Sequence, residues 1–459
     1  MKLRVAFLAL LASACGSGMP TGPTGTVDFS IRAVAQTGGP QSSIRLARDP
    51  SSGAFFVLKL DGDILRFMPG AAPSRVYTGD DTGVALPQGM AFGPEGTLYL
   101  VGNEILGLDQ VGIIRRGVPA GGDRRQWSTV ARTVPFPRSA TTFDHMFSGI
   151  AVSPDGRDVY VSSGSRTDHG EIQTSGGRFP GLREVPLTAL LLRLPSNALD
   201  LVLPDEAAAL APFVFARGLR NSFDPAFNAS GDLLAGDNSG DRDDSDELNW
   251  LREGRHYGFP WRLGTSDTPQ QFRGYNPQSD RLLNPLFNAV QSGFFYDDPT
   301  YPPRPQLPLV DPIPNLGPDA NRFRDPVTGA IRTAVSLGTF TTHRSPLGLS
   351  FDVAGSLSGR YRGGAFILGW TRGDPVGDSI PGPIGDASED LLYLDLTRSG
   401  DAYQLSAYSV VCGFQNPIDS VIAGGKVYVL EFGGTGQVWE ITTPEREPAA
   451  ARPCTRVPR

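Results

Sequence analysis

At 459 residues, with 56 glycines and 40 prolines against 19% charged residues, the chain is ample for a large core and too rich in turn formers for a bundle of long helices. Its formal net charge of −7 argues against nucleic-acid binding, which normally needs a basic face. Short clusters such as Arg115-Arg116 and Arg124-Arg125 are isolated and read as solvated surface.

The N-terminus reads as an export signal. Lys2 and Arg4 precede a short apolar run, Val5 to Ala12, which is too short to cross a membrane as a helix. "LASAC" at 11–15 resembles a bacterial lipobox, with Cys15 as the residue to be lipidated; ordinary cleavage at "ASA" is the alternative. Residues 1–15 are thus expected to be a signal peptide and 16–26 a Gly/Pro/Thr tether. The mature protein would be exported, either anchored to the cell envelope through Cys15 or secreted.

From residue 27 the chain alternates between apolar and polar positions, and one unit recurs: an alternating segment, a glycine-centred turn, a second alternating segment. It appears as "IRLARDPSSGAFFVLK" (44–59), "GMAFGPEGTLYLVG" (89–102), "GIAVSPDGRDVYVSSG" (149–164) and "DPAFNASGDLLAGDN" (224–238), with degenerate copies at 349–370 and 418–431. The turn glycines at 53, 96, 156, 231, 355 and 425 fit strand hairpins, because such turns need positive φ. Six units that bury their faces only against neighbours predict an all-β, six-bladed propeller over 27–443. The alternating piece at 27–35 is positioned to add an outer strand to the last blade and close the ring. Only "PDEAAALAP" (204–212) reads as a helix. The Pro- and Asn-rich stretch 262–333 breaks the repeat and is expected to be an insertion packed over one face. The tail, 444–459, carries Cys454; with Cys412 it is the remaining pair in an oxidising compartment, and a bond closing 42 residues would contribute roughly 4 kcal/mol.

No dinucleotide fingerprint, P-loop, GxSxG elbow or HExxH motif is present, so any chemistry should come from loops at one end of the propeller. Two places stand out. Asp144 and His145 directly precede the third repeat. Arg220-Asn221 lead into the fourth, which ends in a dense acidic loop with Asp237, Asp241, Asp243, Asp244, Asp246 and Glu247. Such carboxylates either bind a hard cation such as calcium or form a solvated acidic turn, and composition favours the turn.

In order along the chain, "FDHMFSGIAVSPDGRDVYVSSGS", "GLRNSFDPAF…DNSGDRDDSDELN…GRHYGFPW", "HRSPLGLSF" and "GGAFILGWTRG" resemble the glucose/sorbosone dehydrogenase family, six-bladed propellers that bind pyrroloquinoline quinone (PQQ). The resemblance implies that His145 is the base that takes a proton from a sugar hydroxyl while hydride passes to the quinone. It implies cofactor contacts from Gln88, Arg220, Asn221, Asn238, His343 and Arg372. It further implies a calcium ion held near Ser239 and Gly240, and a second, structural one at Asp246, Glu247 and Tyr257. The implied activity is PQQ-dependent oxidation of an aldose or related substrate, with an electron acceptor the sequence does not identify. Two departures stand out: Gln415 and Asn416 replace arginines of the glucose-oxidising members, and Ser165 stands where some members carry an aspartate. The rival readings are a non-catalytic propeller binding glycan or protein, and a metal-dependent lactonase on a similar scaffold. His169 and His256 read as loop and turn residues. The five tryptophans read as core, with Trp370 the possible exception.

Overall fold

All six repeat glycines adopt the left-handed backbone that only glycine takes without strain, with φ from +61° to +80°. In four of the turns the glycine N–H closes onto the carbonyl three residues back, as with Gly96 and Gly93 (3.0 Å) and Gly156 and Ser153 (2.8 Å). The chain is described by a computed structural model over residues 26–334, 336–373, 382–446 and 453–458. The export signal, Cys15 and the tether up to Gly25 lie outside the described residues.

Each turn joins the two inner strands of a blade, and the six blades make a six-bladed β-propeller. The innermost strands are Ser43–Arg48, Pro87–Phe92, Phe147–Val152, Pro225–Phe227, Pro346–Phe351 and Pro417–Ala423 for blades 1 to 6. The second strands, such as Phe55–Lys59 and Leu98–Leu106, are apolar runs because both faces are covered by adjacent blades. Phe55 of blade 1 and Tyr428 of blade 6, for example, pack across that seam as a tilted pair with centroids 4.4 Å apart. The N-terminal strand, Ser30–Gln36, pairs antiparallel with Gln437–Thr442 and closes the ring.

Five innermost strands carry a register shift near their start, at Ser43/Arg45, Pro87/Gly89, Phe147/Ile150, Leu347/Ser350 and Pro417/Asp419. Neighbouring strands touch there: a Cβ on Gly149 would lie 2.4 Å from Phe223 O. The axis is closed by an ionic group. Arg45 reaches Asp224 at 2.8 Å, donates to Gln88 O at 2.6 Å, and lies 3.6 Å over the Phe223 ring.

Elsewhere the structure adds to the sequence reading or departs from it. The helix expected over 204–212 is one α-turn, Ala207–Leu210, capped by the Glu206 carboxylate and continued by the 3₁₀ turn Ala211–Phe213. Two further single turns, Gly79–Thr82 and Asn288–Gln291, are too short to leave a helical period in the sequence. Cys412 and Cys454 form a disulfide, Cα atoms 5.7 Å apart, and Thr455–Arg456 pairs parallel to the outer strand of blade 5. The stretch 262–333 crosses the end of the propeller where the innermost strands begin, at 286–288, and then borders blade 4, where Ile313 N donates to Leu248 O (2.9 Å).

Candidate functional site

His145 and Arg220 precede the innermost strands of blades 3 and 4, so ring closure brings both to the same end of the axis. A backbone clip at Ser165 fixes their separation. Ser165 N donates to Arg220 O (2.7 Å) and Ser165 O accepts from His145 N (2.8 Å). Gly164 permits this approach, since a Cβ there would sit 2.3 Å from His145 Cβ.

The cavity at this point encloses about 360 Å³. It is lined by eight of the twelve residues to which the family resemblance gives a role: His145, Arg220, Asn221, Asn238, Ser239, Gly240, Asp246 and His343. Four others lie elsewhere. Gln88 is placed on blade 2 with its carbonyl turned to Arg45. Arg372 lines a neighbouring cleft. Glu247 accepts from Gly264 N (2.7 Å) and Asn249 Nδ2 (2.7 Å), and Tyr257 donates through Oη to Trp250 O (2.5 Å).

Hydrogen bonding fixes the state of His145. The Ser165 hydroxyl donates its single proton to Thr167 O (2.8 Å), so its oxygen accepts from His145 Nδ1–H (3.3 Å). That assigns the neutral tautomer with Nε2 as the basic atom, and Nε2 makes no hydrogen bond among the described residues. Burial, reinforced by the Arg220 charge, lowers the pKa to about 3, so the ring is a free base at neutral pH. Asp144 does not assist it. Its carboxylate accepts from Ser139 N (2.8 Å) and Gln110 Nε2 (3.2 Å) and pins the preceding loop.

Arg220 is held by a partner that no sequence motif marks. Asp168 accepts from Arg220 Nη2 at 2.8 Å and its backbone carbonyl from Nε at 2.7 Å, while Nη1 reaches Asn238 O at 3.2 Å. The other Asp168 oxygen meets His169 Nδ1 at 2.8 Å, and His169 stacks on Phe295 with centroids 4.0 Å apart. His169 is therefore a loop residue, as the sequence suggested, but a buried one that braces Asp168. Burial opposes ionisation of Asp168, but Arg220 and His169 outweigh it and hold the pKa at about 2. Gly240 packs directly on Asp168, a Cβ there lying 3.0 Å from Oδ2.

The acidic loop is not the solvated turn that composition favoured. Asp237, Asp243, Asp244, Asp246 and Glu247 are all buried. Asp237 caps the N–H groups of Arg220 and Asn221, and burial raises its pKa to about 7. Asp241 accepts from Ala289 N (2.8 Å), tying down the segment that brings Leu286, Phe287 and Asn288 over the cavity. Asp243 bridges Arg324 Nε (2.6 Å) and His343 Nε2 (2.8 Å). Burial alone would lower the His343 pKa, yet Asp243 raises it, and the ring packs 4.2 Å from that of Phe287. Residues 262–333 thus neutralise the loop, roof the cavity and brace His343.

Two lining residues keep buried polar atoms without a hydrogen-bond partner, Asn238 Oδ1 and Trp370 Nε1. With Arg220, His343 and the rings of Phe287 and Trp370, the Trp370 Nε1 donor suits a flat, anionic, oxygen-rich molecule, whereas Asn238 Oδ1 requires a donor on it. The side chains expected to ligate calcium fit less well. Asp246 accepts from Ser239 N (2.9 Å), Ser239 Oγ (2.8 Å) and Ser345 N (2.9 Å). Among the described residues no group of three His, Cys, Asp or Glu side chains could hold a metal ion.

No protein-family model and no curated protein matches the chain. Among solved structures, it is similar to the soluble aldose sugar dehydrogenase of Escherichia coli in its apo form, at TM-score 0.51 and 14% identity, covering 90% of this chain and 99% of that one. The PQQ-bound aldose sugar dehydrogenase of Streptomyces coelicolor gives TM-score 0.51 and 18% identity over 91% and 99% of the two chains. The holo PQQ domain of pyranose dehydrogenase from Coprinopsis cinerea gives 0.52 and 13% over 90% and 95%. At these identities the likeness is one of fold.

Proposed function

We propose that the chain is a PQQ-dependent oxidoreductase acting on an aldose or a related alcohol or aldehyde, with His145 as general base. The observation that carries the reading is an uncharged histidine, its Nδ1–H engaged and its Nε2 unengaged, in one cavity with a buried guanidinium. PQQ-bound neighbours of the same fold support it.

Bound in this cavity, PQQ would accept the hydride that leaves the sugar carbon. The chain's own residues do the rest. Arg220, fixed by Asp168, and Asn221 would hold the cofactor's oxygens; Trp370 Nε1 and Asn238 Oδ1 would find partners in the bound complex. His145 Nε2 takes the hydroxyl proton, a role worth roughly 10²–10⁴ in rate when well positioned. The imidazolium so formed keeps its Nδ1–H on Ser165, and buried Asp168 offsets the added charge. Leu286, Phe287 and Phe143 limit access of water. Calcium is an addition to be titrated. Export through residues 1–15 with a lipid on Cys15 completes the proposal.

Purified protein reconstituted with PQQ, with and without calcium, should reduce an artificial acceptor in the presence of an aldose, and His145→Ala should abolish this while unfolding like the parent. No reduction across a broad sugar panel sinks the proposal. The rival reading, a propeller that binds without turnover, draws on Arg372 and Gln415 lying outside the cavity. If PQQ absorbance fails to travel with the protein, that reading takes over.

A further inference from the structure

The segment after Ser165 is made of polar residues and yet is buried. Asp168 and His169 lie on no strand or helix and are at most 1% exposed. Two carboxylates surround the His169 Nδ1 side: Asp168 Oδ2 at 2.8 Å and Glu171 Oε2 at 3.5 Å. Asp168 already accepts from Arg220 Nη2 (2.8 Å) and Asp241 N (3.0 Å), so it has no proton to offer and Nδ1 must donate. On the far side of the ring, Nε2 lies between Phe294 O, at 3.2 Å, and the side-chain amide of Gln270. The carbonyl can only accept, and the amide can turn its oxygen or its nitrogen to the ring. Two anions at the opposite edge favour a cation, which puts a proton on Nε2 and the Gln270 oxygen beside it. Burial opposes that charge, but Glu171 and Asp168 outweigh it and raise the His169 pKa.

Charges then alternate along the set: Arg220 positive, Asp168 negative, His169 positive, Glu171 negative. One carboxylate serves two cations, Arg220 through Oδ1 and His169 through Oδ2. The sharing fixes the plane of the carboxylate. With Arg220 Nε also bound to Asp168 O (2.7 Å), it fixes the direction of the guanidinium as well. It further leaves the Arg220 charge only partly cancelled by Asp168, and so available to an anion in the cavity. The insertion supplies the setting. Phe295 stacks on the ring with centroids 4.0 Å apart, Phe294 and Gln270 face Nε2, and Tyr301 donates to His169 O (2.6 Å).

We infer that His169, held as an imidazolium by residues of the insertion, is a positioning residue that shares Asp168 with Arg220 and so aims the guanidinium, its charge still available, into the His145 cavity. For the anion the inference rests on the PQQ reading; for Arg220 it does not.

The ring is read first, in magnetic resonance spectra of the cofactor-free parent carrying isotope-labelled histidine. At neutral pH both His169 nitrogens should be protonated, and a neutral ring overturns the inference. His169→Asn keeps a neutral donor facing Asp168 and removes the charge; His169→Gln replaces it if the first variant does not fold. In the variant the Arg220 Nε–H should exchange with water faster than in the parent. PQQ, titrated by its absorbance with calcium in the buffer, should bind the variant about tenfold or more weakly. Affinity in the parent should also fall as pH rises through the His169 titration, and affinity in the variant should not follow. Asp168, Glu171, Asp241, Tyr301 and Asp237, the last raised to about 7, are common to both proteins, so the difference between the two profiles reports His169.

Unchanged Arg220 exchange overturns the inference, as does unchanged affinity or an unchanged pH profile where the parent binds PQQ. A parent that binds no PQQ, yet shows the imidazolium and loses Arg220 protection in the variant, refutes the oxidation reading alone. One that oxidises sugar with a neutral His169 refutes the inference alone.

Discussion

Replacing Gly164 with alanine tests the geometry on which the site depends. The added Cβ would lie 2.3 Å from His145 Cβ, 2.8 Å from His145 O and 3.2 Å from Arg220 O. Carbon atoms in contact settle at about 3.5–4.0 Å, so His145 must move by roughly 1.2 Å, the difference between 3.5 and 2.3. No φ penalty is involved, because Gly164 is not in the left-handed region, and the whole effect is steric. The bonds of Ser165 to His145 N and Arg220 O, at 2.8 and 2.7 Å, take up the strain. A displacement of about 1 Å in a catalytic group costs on the order of 10²-fold in rate, and overpacking of this kind costs about 1–3 kcal/mol in stability. The assay is acceptor reduction by reconstituted protein at saturating aldose, alongside denaturant unfolding. A kcat within about threefold of the parent would show that the clip does not set the His145 position, and the reasoning would fail.

Further outcomes follow from the electrostatics and the cross-link. Because His145 is lowered to about 3, it is the competent free base over the whole neutral range, and the profile of kcat/KM against pH should show no acid limb from it above about pH 4; a limb near 6.5 refutes the assignment. The same depression lets the unfolded chain take up a proton that the folded chain refuses between 6.5 and about 3, so this group's share of stability declines as pH falls through that window. Asp168→Asn should cost about 3–5 kcal/mol in unfolding at neutral pH, since it leaves the Arg220 guanidinium buried without its counter-charge. With Asp168 held at about 2, its contribution is complete above the unfolded value near 3.8 and fades only as pH drops towards 2. Reducing Cys412–Cys454 should lower stability by about 4 kcal/mol for a 42-residue loop, read as a fall in the unfolding midpoint with dithiothreitol.

What the sequence determined by itself is what local chemistry enforces. A glycine at each hairpin turn is dictated by the φ that turn requires, and six such turns between alternating apolar segments leave radial stacking as the way to bury both faces. His145 and Arg220-Asn221 were legible because each stands just before an innermost strand, and a propeller delivers such positions to one end of its axis. The state of the acidic loop was beyond local reading, because its charges are answered by groups far along the chain: Arg324 for Asp243, Ala289 N for Asp241, Ser345 N for Asp246. The same distance hid the brace behind Arg220, since Asp168 lies 52 residues away, and it hid the place of Arg372, whose strand end carries it past Trp370 into the next cleft. Turn geometry is a property of a few consecutive residues, whereas the charge and protonation of a site depend on what the closed ring brings alongside it.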